Sequence, residues 1–386
     1  MEHKQLYALK RIPSSMRPLP MSVQVIDSEE GLRSIEKDWD ELLAKKGGAS
    51  FFSSFDYIWL AWSHFREKSD RLFVLVLKEG DAMIGIAPLK ISRTLNWGIP
   101  MRTIEFIATW EGDRPEIVTL ENEDLVWDRL YDFLSTEFRT WDVIDLIEQA
   151  VDSPGNSRWN FFQDGRYFCR VIPDSTCYYI SLVGEWEDYI NKINSKVRSN
   201  WRNRTKRLRG LPEICRIECI ENEESIIEAL RRFVAIEQSG WKSGANLGIA
   251  KDPRHKMFYE DLVVDLSRKN QVAIYLLKLG DKDIAASIMY KFSGVQYERH
   301  IAYNPEYSPY SPGIILRTEI LKALFGTKYQ ECDLLGFRSN NDGQQHKIDW
   351  ATGKRETVRT VVYRRKSRIT PILLARRIEA WLKAHP

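Results

Sequence analysis

The chain has 386 residues, 43% hydrophobic and 12% aromatic, which is too long for one ordinary domain and enough for two buried cores. A net charge of +3 argues against a whole-molecule field that demands nucleic acid, so any polyanion site must be local. Five cysteines, an odd number without Cys-x-x-Cys spacing or a histidine cluster, argue against a disulfide frame or a metal site and read as reduced thiols.

Residues 1–20 hold no apolar core of secretory type, and no later run nears the roughly 20 residues that span a bilayer. A flexible tail and a cytoplasmic location are expected. MSVQVIDS then reads as a strand, 30–45 and 55–68 as helices, and LFVLVLKEGDAMIGIAPLKI as a hairpin turning at Gly80 and Asp81. A third strand, a helix and WDVIDLIE at 141–148 follow.

The segment 191–210, NKINSKVRSNWRNRTKRLRG, has eight Lys or Arg and no acid. Ile193, Val197, Trp201 and Leu208 keep a helical stripe, so one amphipathic helix with a positive outer face is expected. A solvated face, tRNA, a phosphorylated small molecule, an anionic glycan and a membrane surface all satisfy it.

CRIECI opens the second round: helices at 223–240 and 253–268, the hairpin VAIYLLKLGDKDIAASIMYKF turning at Gly280 and Asp281, a strand, a helix, and YQECDLLGF at 329–337. Both halves spell β-α-α-β-β-β-α-β, and LKEGDAMIG at 77–85 is echoed by LKLGDKDIA at 277–285. Independent hairpins would not share their flanking elements. The expected fold is α/β (an α+β mixed sheet), one domain written twice by duplication, at 21–180 and 181–365. A basic amphipathic helix at 366–386 closes the chain, with peripheral contact to anionic lipid as one reading.

The halves differ after their third hairpin-linked strands. In the second, GVQYERHIAYN runs through PEYSPYSPG into IILRTEILKALFG. Ser311 reads as an N-cap, Pro312 as the first helical residue, and Gly313 as leaving backbone amides uncovered, so this helix start either binds phosphate or is plainly capped. The first half has the acidic TWEGDRPEIVTLENEDL there and looks unable to hold an anion.

YERHIAYN places charged residues in a central strand. Alternation sends Glu298 and His300 to one face and Tyr297, Arg299, Ile301 and Tyr303 to the other. Glu298 with His300 reads as a general-base pair, a solvent-reaching edge or a salt bridge with Arg299 being the alternatives. Asp333 is echoed by Asp145 and reads as structural. Arg338 and Lys347, in FRSNNDGQQHKIDW, read as binders of an anionic acceptor or as solvated loop residues, and Trp241, in EQSGWKSG, as an acceptor-loop or core residue.

This element order, with WDELLAKKGGASFFSSFDYIWLAW, RTKRLRG, AYNPEYSPYSPGIIL and DLLGFRSNNDGQQHKIDW, resembles the GCN5-related N-acetyltransferase (GNAT) fold. Its tandem form is similar to the CelD/BcsL-like acetyltransferases, with FemABX peptidyltransferases more distant. The usual RxxGxG/A loop is replaced by Ser-Pro-Gly. The resemblance implies acetyl-coenzyme A, or another acyl-coenzyme A, in the second half. Its pantetheine would meet Ile301, Ala302 and Tyr303, and its pyrophosphate would meet Ser311, Pro312, Gly313, Ile314 and Ile315. Glu298 and His300 would be catalytic, Trp241, Arg299, Arg338 and Lys347 would bind the acceptor or steady the thioester oxygen, and the basic helix could take the 3′-phosphate. The acceptor implied is a small molecule or glycan, the first half being non-catalytic. A Fem-like transferase using charged tRNA and a polyanion-binding scaffold are the rivals.

Overall fold

The computed structural model describes residues 21–364 apart from 97, 109–111, 121–122, 152, 154–166, 241–247 and 338–344. Trp241, Arg338 and the tail 366–386 lie outside the described residues. The first half runs β1 (Met21–Ile26), α1 (Glu29–Ser34), α2 (Glu36–Lys46), α3 (Phe55–Phe65), β2 (Arg71–Leu72), β3 (Val74–Glu79) and β4 (Ala82–Ala87). It continues through β5 (Leu89–Asn96), β6 (Ile99–Phe106), β7 (Val118–Thr119), α4 (Glu123–Asp132), β8 (Val143–Ala150) and β9 (Tyr167–Ser181). The second half runs α5 (Trp186–Lys192), α6 (Ser195–Arg209), β10 (Cys215–Ile220), α7 (Glu223–Ser239), α8 (Pro253–Arg268), β11 (Val272–Leu279) and β12 (Lys282–Phe292). It ends with β13 (Val295–Tyr303), α9 (Pro312–Leu324), β14 (Glu331–Phe337), α10 (Gln345–Ile348) and β15 (Gly353–Arg364).

Short polar side chains start the helices. Ser54 accepts from the Tyr57 amide at 3.4 Å, Asn222 from Ser225 at 2.9 Å, and Asp252 from His255 at 3.0 Å ahead of Pro253, each satisfying a first-turn donor. The basic segment departs from a single helix. Ile193 is extended (φ −63°, ψ 143°) after α5, and Asn194 then caps α6 by accepting from the Lys196 amide at 2.9 Å.

The hairpin recurs in register. Leu77 lies opposite Gly85 and, past a bulge, Lys78 opposite Met83; Leu277 lies opposite Ala285 and, past the same bulge, Lys278 opposite Asp283. Gly80 and Gly280 turn with φ of 62° and 59°, a region that costs glycine little. The following parallel pairs match too, with Glu105 opposite Asp145 and Tyr297 opposite Asp333.

Among the described residues two sheets result, one of four strands in the order β1-β3-β4-β7 and one of eleven in the order β10-β11-β12-β13-β14-β9-β15-β8-β6-β5-β2. The halves exchange their last strands: β9 pairs with β14, β15 with β8, and β9 with β15. Equivalent helices α3 and α8 pack antiparallel between the halves, with Phe258 against Tyr57 (6.0 Å between ring centroids) and Phe65 (5.1 Å). Phe51 packs on Tyr290 at 4.6 Å and Phe52 on Tyr297 at 6.1 Å, so one aromatic core joins the first half to the second half's sheet. Among the described residues no helix is long and apolar enough to cross a membrane.

Candidate functional site

The large sheet opens at its middle. β13 and β14 pair only from Val295 to Tyr297 and from Glu331 to Asp333. Past Asp333, β14 bulges: the next paired residue is Gly336, opposite Cys177 of β9, and Leu335 sits at φ 61°. β13 continues from Glu298 to Tyr303 with ladder partners on β12 alone among the described residues. The two parallel strands therefore splay, and past Tyr297 the β14-facing side of β13 carries no ladder pairing among the described residues.

A second bulge corrects the face assignment. Ile288 pairs with His300 and Met289 with Glu298, which leaves Arg299 as the extra residue. One extra residue inverts the alternation on one side of it. Glu298 and His300 consequently lie on opposite faces and form no pair, and Arg299 does not share a face with Ile301 and Tyr303.

On the α8 face, the Nε2 of His300 is 2.6 Å from the Tyr259 hydroxyl, which also accepts from Arg299 Nε at 3.2 Å. Tyr259 is buried on α8. The imidazole and hydroxyl share one proton-bearing contact whose direction depends on the histidine tautomer.

On the α9 face, Arg317 donates to both Glu298 oxygens, at 2.7 and 2.5 Å, and to the His346 carbonyl at 2.8 Å. Arg317 is 1% exposed and Glu298 6%. Burial works against the Glu298 charge, but Arg317 beside it holds the carboxyl below its ordinary range. A carboxylate so engaged is a counter-ion and a weak base. Lys347 of α10 donates to the Leu335 carbonyl at the β14 bulge, at 3.2 Å. Burial pushes its ammonium below the ordinary range, against the pull of Glu298 and Asp113.

The first half reaches the same bulge. The carboxylate of Asp113 accepts from the Gly336 amide at 2.6 Å and from Arg114 Nε at 2.6 Å, and Arg114 donates to Asp333 at 2.5 Å. Burial opposes the Asp113 charge, yet Arg114 and the Gly336 amide keep its carboxyl low. Gly336 is required here, since a Cβ would lie 2.6 Å from the Cys177 sulfur. Asp333 is thus tied into ion pairing between the halves, as Asp145 is to Arg359 at 2.7 and 2.6 Å.

The start of α9 differs from a freely open helix end. Ser311 is left-handed (φ 51°, ψ 56°) and caps nothing with its side chain; its hydroxyl instead accepts from Arg204 of α6. Pro312 has no N–H, and the Ile314 and Ile315 amides donate to the Ser311 carbonyl at 3.0 and 3.2 Å. Gly313 faces Tyr303 and Ile301, whose ring and methyl carbons lie 3.6 and 3.8 Å from where a Cβ would stand. Ile301, Tyr303 and Gly313 therefore meet on one face, while Ala302 is buried in the opposite core.

A cleft of about 240 Å³ runs between α6, Tyr310 to Ile315, and α10, with Trp201, Arg204, His346 and Trp350 in its walls. The structure thus joins the basic segment to the start of α9. Tyr259, Arg317, Asp113 and Arg114 escaped the sequence reading. Only Arg317 carried a signal, being a charge on the apolar face of a helix, where it requires a carboxylate partner.

Residues 195–347 match the family model of the acetyltransferase (GNAT) domain. No curated protein matches the chain. Among solved structures, FemX is similar at 9% identity and a TM-score of 0.56, over 83% of this chain and 95% of that one. A conserved protein of unknown function from Bacteroides thetaiotaomicron VPI-5482 is similar at 8% identity and 0.53, over 89% and 100%. The C-terminal domain of a putative lysylphosphatidylglycerol synthetase from Agrobacterium fabrum is similar at 10% and 0.51, over 89% and 95%. At these identities the likeness speaks to fold. The splayed strands, the start of α9 and α10 all fall in or beside the matched segment, so the second half carries a GNAT acetyltransferase domain and the protein is a transferase.

Proposed function

We propose that the protein moves an acyl group, acetyl in the simplest case, from acyl-coenzyme A to an amine or hydroxyl of a small-molecule or glycan acceptor. The observation that carries this is the splay of β13 from β14, whose ladder stops at Tyr297 opposite Asp333 while β13 runs on to Tyr303. A pantetheine arm, with two amides, is the extended group that pairs with such an edge. The acceptor's lone pair attacks the thioester carbon, the C–S bond breaks, and the sulfur leaves as thiolate. His300, backed by Tyr259, takes the proton that the acceptor loses, directly or through one water. Lys347 steadies the developing negative charge at the thioester oxygen. The first half, 21–180, is a non-catalytic support for the second, 181–365, in the manner of the tandem CelD/BcsL-like enzymes, and the setting is the cytoplasm, where unpaired cysteines stay reduced.

Titration of the whole protein with acetyl-coenzyme A tests the donor, beside Gly313→Glu, which puts a carboxylate at the start of α9. Wild-type binding that the variant loses is expected; no wild-type binding overturns the reading. His300→Ala should lower turnover by about 10²- to 10⁴-fold with donor affinity unchanged, and full activity in that variant removes His300 from the mechanism.

One observation favours a second reading: the acid-free α6 presents a cationic face in a fold that is similar to FemX. Steeply salt-dependent tRNA binding without coenzyme A binding would establish a Fem-like aminoacyl transferase instead.

A further inference from the structure

The start of α9 has little to offer a phosphate on its own. It begins with a proline, and two of its next amides are already engaged with Ser311. The positive charge beside it comes from a different element. Arg204 of α6 lies on the Ser311 hydroxyl, and the guanidinium of Arg207 stands 5.4 Å over the Tyr310 ring. Beyond Tyr310, the 240 Å³ cleft gives onto a wide groove of about 720 Å³ bordered by Asn203, Lys206, Arg207 and Gly210.

The acids that face α6 are already engaged, one of them by the last residue of α6 itself. Glu319 pairs with Arg209 at 2.8 Å, and Asp349, on the cleft wall, accepts from Gln345 at 2.6 Å. Arg204, Lys206 and Arg207 are thus three cations on one exposed helix, arranged from the narrow cleft outward into the open groove. That order matches a ligand that is narrow and doubly charged at the inner end and carries a further phosphate on a bulky ring system at the outer end.

We propose that α6 is the phosphate-recognition element for the donor nucleotide, with Arg204 taking the diphosphate at the start of α9 and Lys206 with Arg207 taking a ribose 3′-phosphate in the outer groove. The inference rests on the acyl-coenzyme A reading and adds to it a selectivity: the site prefers a 3′-phosphorylated nucleotide. It also explains why α9 can begin with Ser-Pro-Gly, since the charge that an amide cradle would supply is delivered by side chains from α6.

The test is calorimetric titration of the full chain with coenzyme A and with dephospho-coenzyme A, which lacks only the 3′-phosphate. The wild type should bind coenzyme A about tenfold or more tightly, the value of one charge-assisted contact. The double variant Lys206→Ala with Arg207→Ala should lose that preference while keeping its affinity for dephospho-coenzyme A, and Arg204→Ala should weaken both ligands. Because all three side chains are exposed, thermal unfolding should be unchanged, and Arg207→Lys should restore part of the preference.

Equal binding of the two ligands by the wild type, or a preference that survives the double variant, overturns this inference and leaves the donor reading standing. Loss of tRNA binding in the double variant with the coenzyme A preference intact overturns it in favour of nucleic acid. Failure of the wild type to bind either coenzyme overturns the donor reading and this inference together.

Discussion

The strand that follows the repeated turn is continuous in one half and broken in the other. β12 runs unbroken from Lys282 to Phe292, whereas its counterpart stops at Ala87 and restarts at Leu89. Between them stands Pro88, at the position that Ile288 holds by the shared register of the two hairpins. Proline cannot donate to a ladder, and with the break the first half's strands divide between the two sheets. Next in line, the ladders that set Tyr297 against Asp333 and Glu105 against Asp145 place Glu298, Arg299 and His300 where the first half has Phe106, Ile107 and Ala108. The same scaffold thus keeps a polar, splayed strand in one half and an apolar one in the other. A duplicated fold can confine its chemistry to a few residues of one strand, and here those residues sit beside the second bulge.

The comparison breaks most severely at Arg317, which the second half needs because it has buried Glu298. Arg317→Ala should cost about 3–5 kcal/mol, the penalty of a buried charge stripped of its partner, read as a shift in the urea midpoint at constant m-value. Replacing the pair with Arg317→Met and Glu298→Met should recover most of the loss, as expected where the first half fills the Glu298 position with Phe106. A double variant as unstable as the single one would show that the pair, and not the stranded charge, holds α9 to the sheet.

Ile288→Pro asks whether the break at Pro88 divides the strands. It should cost about 3 kcal/mol or more by removing a ladder donor from an interior strand of the eleven-stranded sheet. Pro88→Ile, at a junction already built around the break, should change stability by less than about 1 kcal/mol. Equal costs at both positions would mean that proline's missing donor is not what separates the first half's strands.

The same asymmetry has a pH signature. The Glu298 carboxyl is held below its ordinary value of 4.5, so its contribution is present above that pH and is lost as pH falls through the folded value. Asp333 works in the opposite sense. Burial pushes its carboxyl up, with Asp113 adding to the push and Arg114 opposing it, so its ionised form is a burden at neutral pH that protonation relieves. Denaturation midpoints followed below about pH 4.5 should therefore fall more steeply in the wild type than in the methionine pair. Identical slopes would remove Glu298 from the acid response.

Much of the scaffold was legible because it is locally encoded. Gly80 and Gly280 announce turns that need positive φ, CRIECI is a strand over its full length, and the apolar spacing of 223–240 and 253–268 gave both helices to within a residue. The bulge at Arg299 was not legible, because nothing in Glu-Arg-His distinguishes a strand with one extra residue from a regular one, and a single extra residue reverses the face of a side chain. The exchange of β9 and β15 and the reach of Asp113 to Gly336 depend on pairings 150 or more residues apart, which periodicity does not encode. Acids in the first half that looked merely hostile to an anion proved, at Asp113, to brace the opening in the second.

Ion pairs also join the halves at the surface of the α3 and α8 contact. Lys269 reaches Asp56 at 2.7 Å and Arg254 reaches Glu67 at 3.2 Å, one pair at each end of the two helices. Their symmetry about the contact suggests a clasp, but Arg254, Glu67 and Lys269 reach solvent and only Asp56 is turned inward, so salt and side-chain entropy offset most of the attraction. Lys269→Ala should therefore cost less than about 1 kcal/mol, with less effect still at high salt. The Phe258 cluster between the helices, dry and aromatic, is expected to hold the halves together. A cost from Lys269→Ala that rivals the stranding of Glu298 would shift the cohesion of the halves from apolar packing to charge.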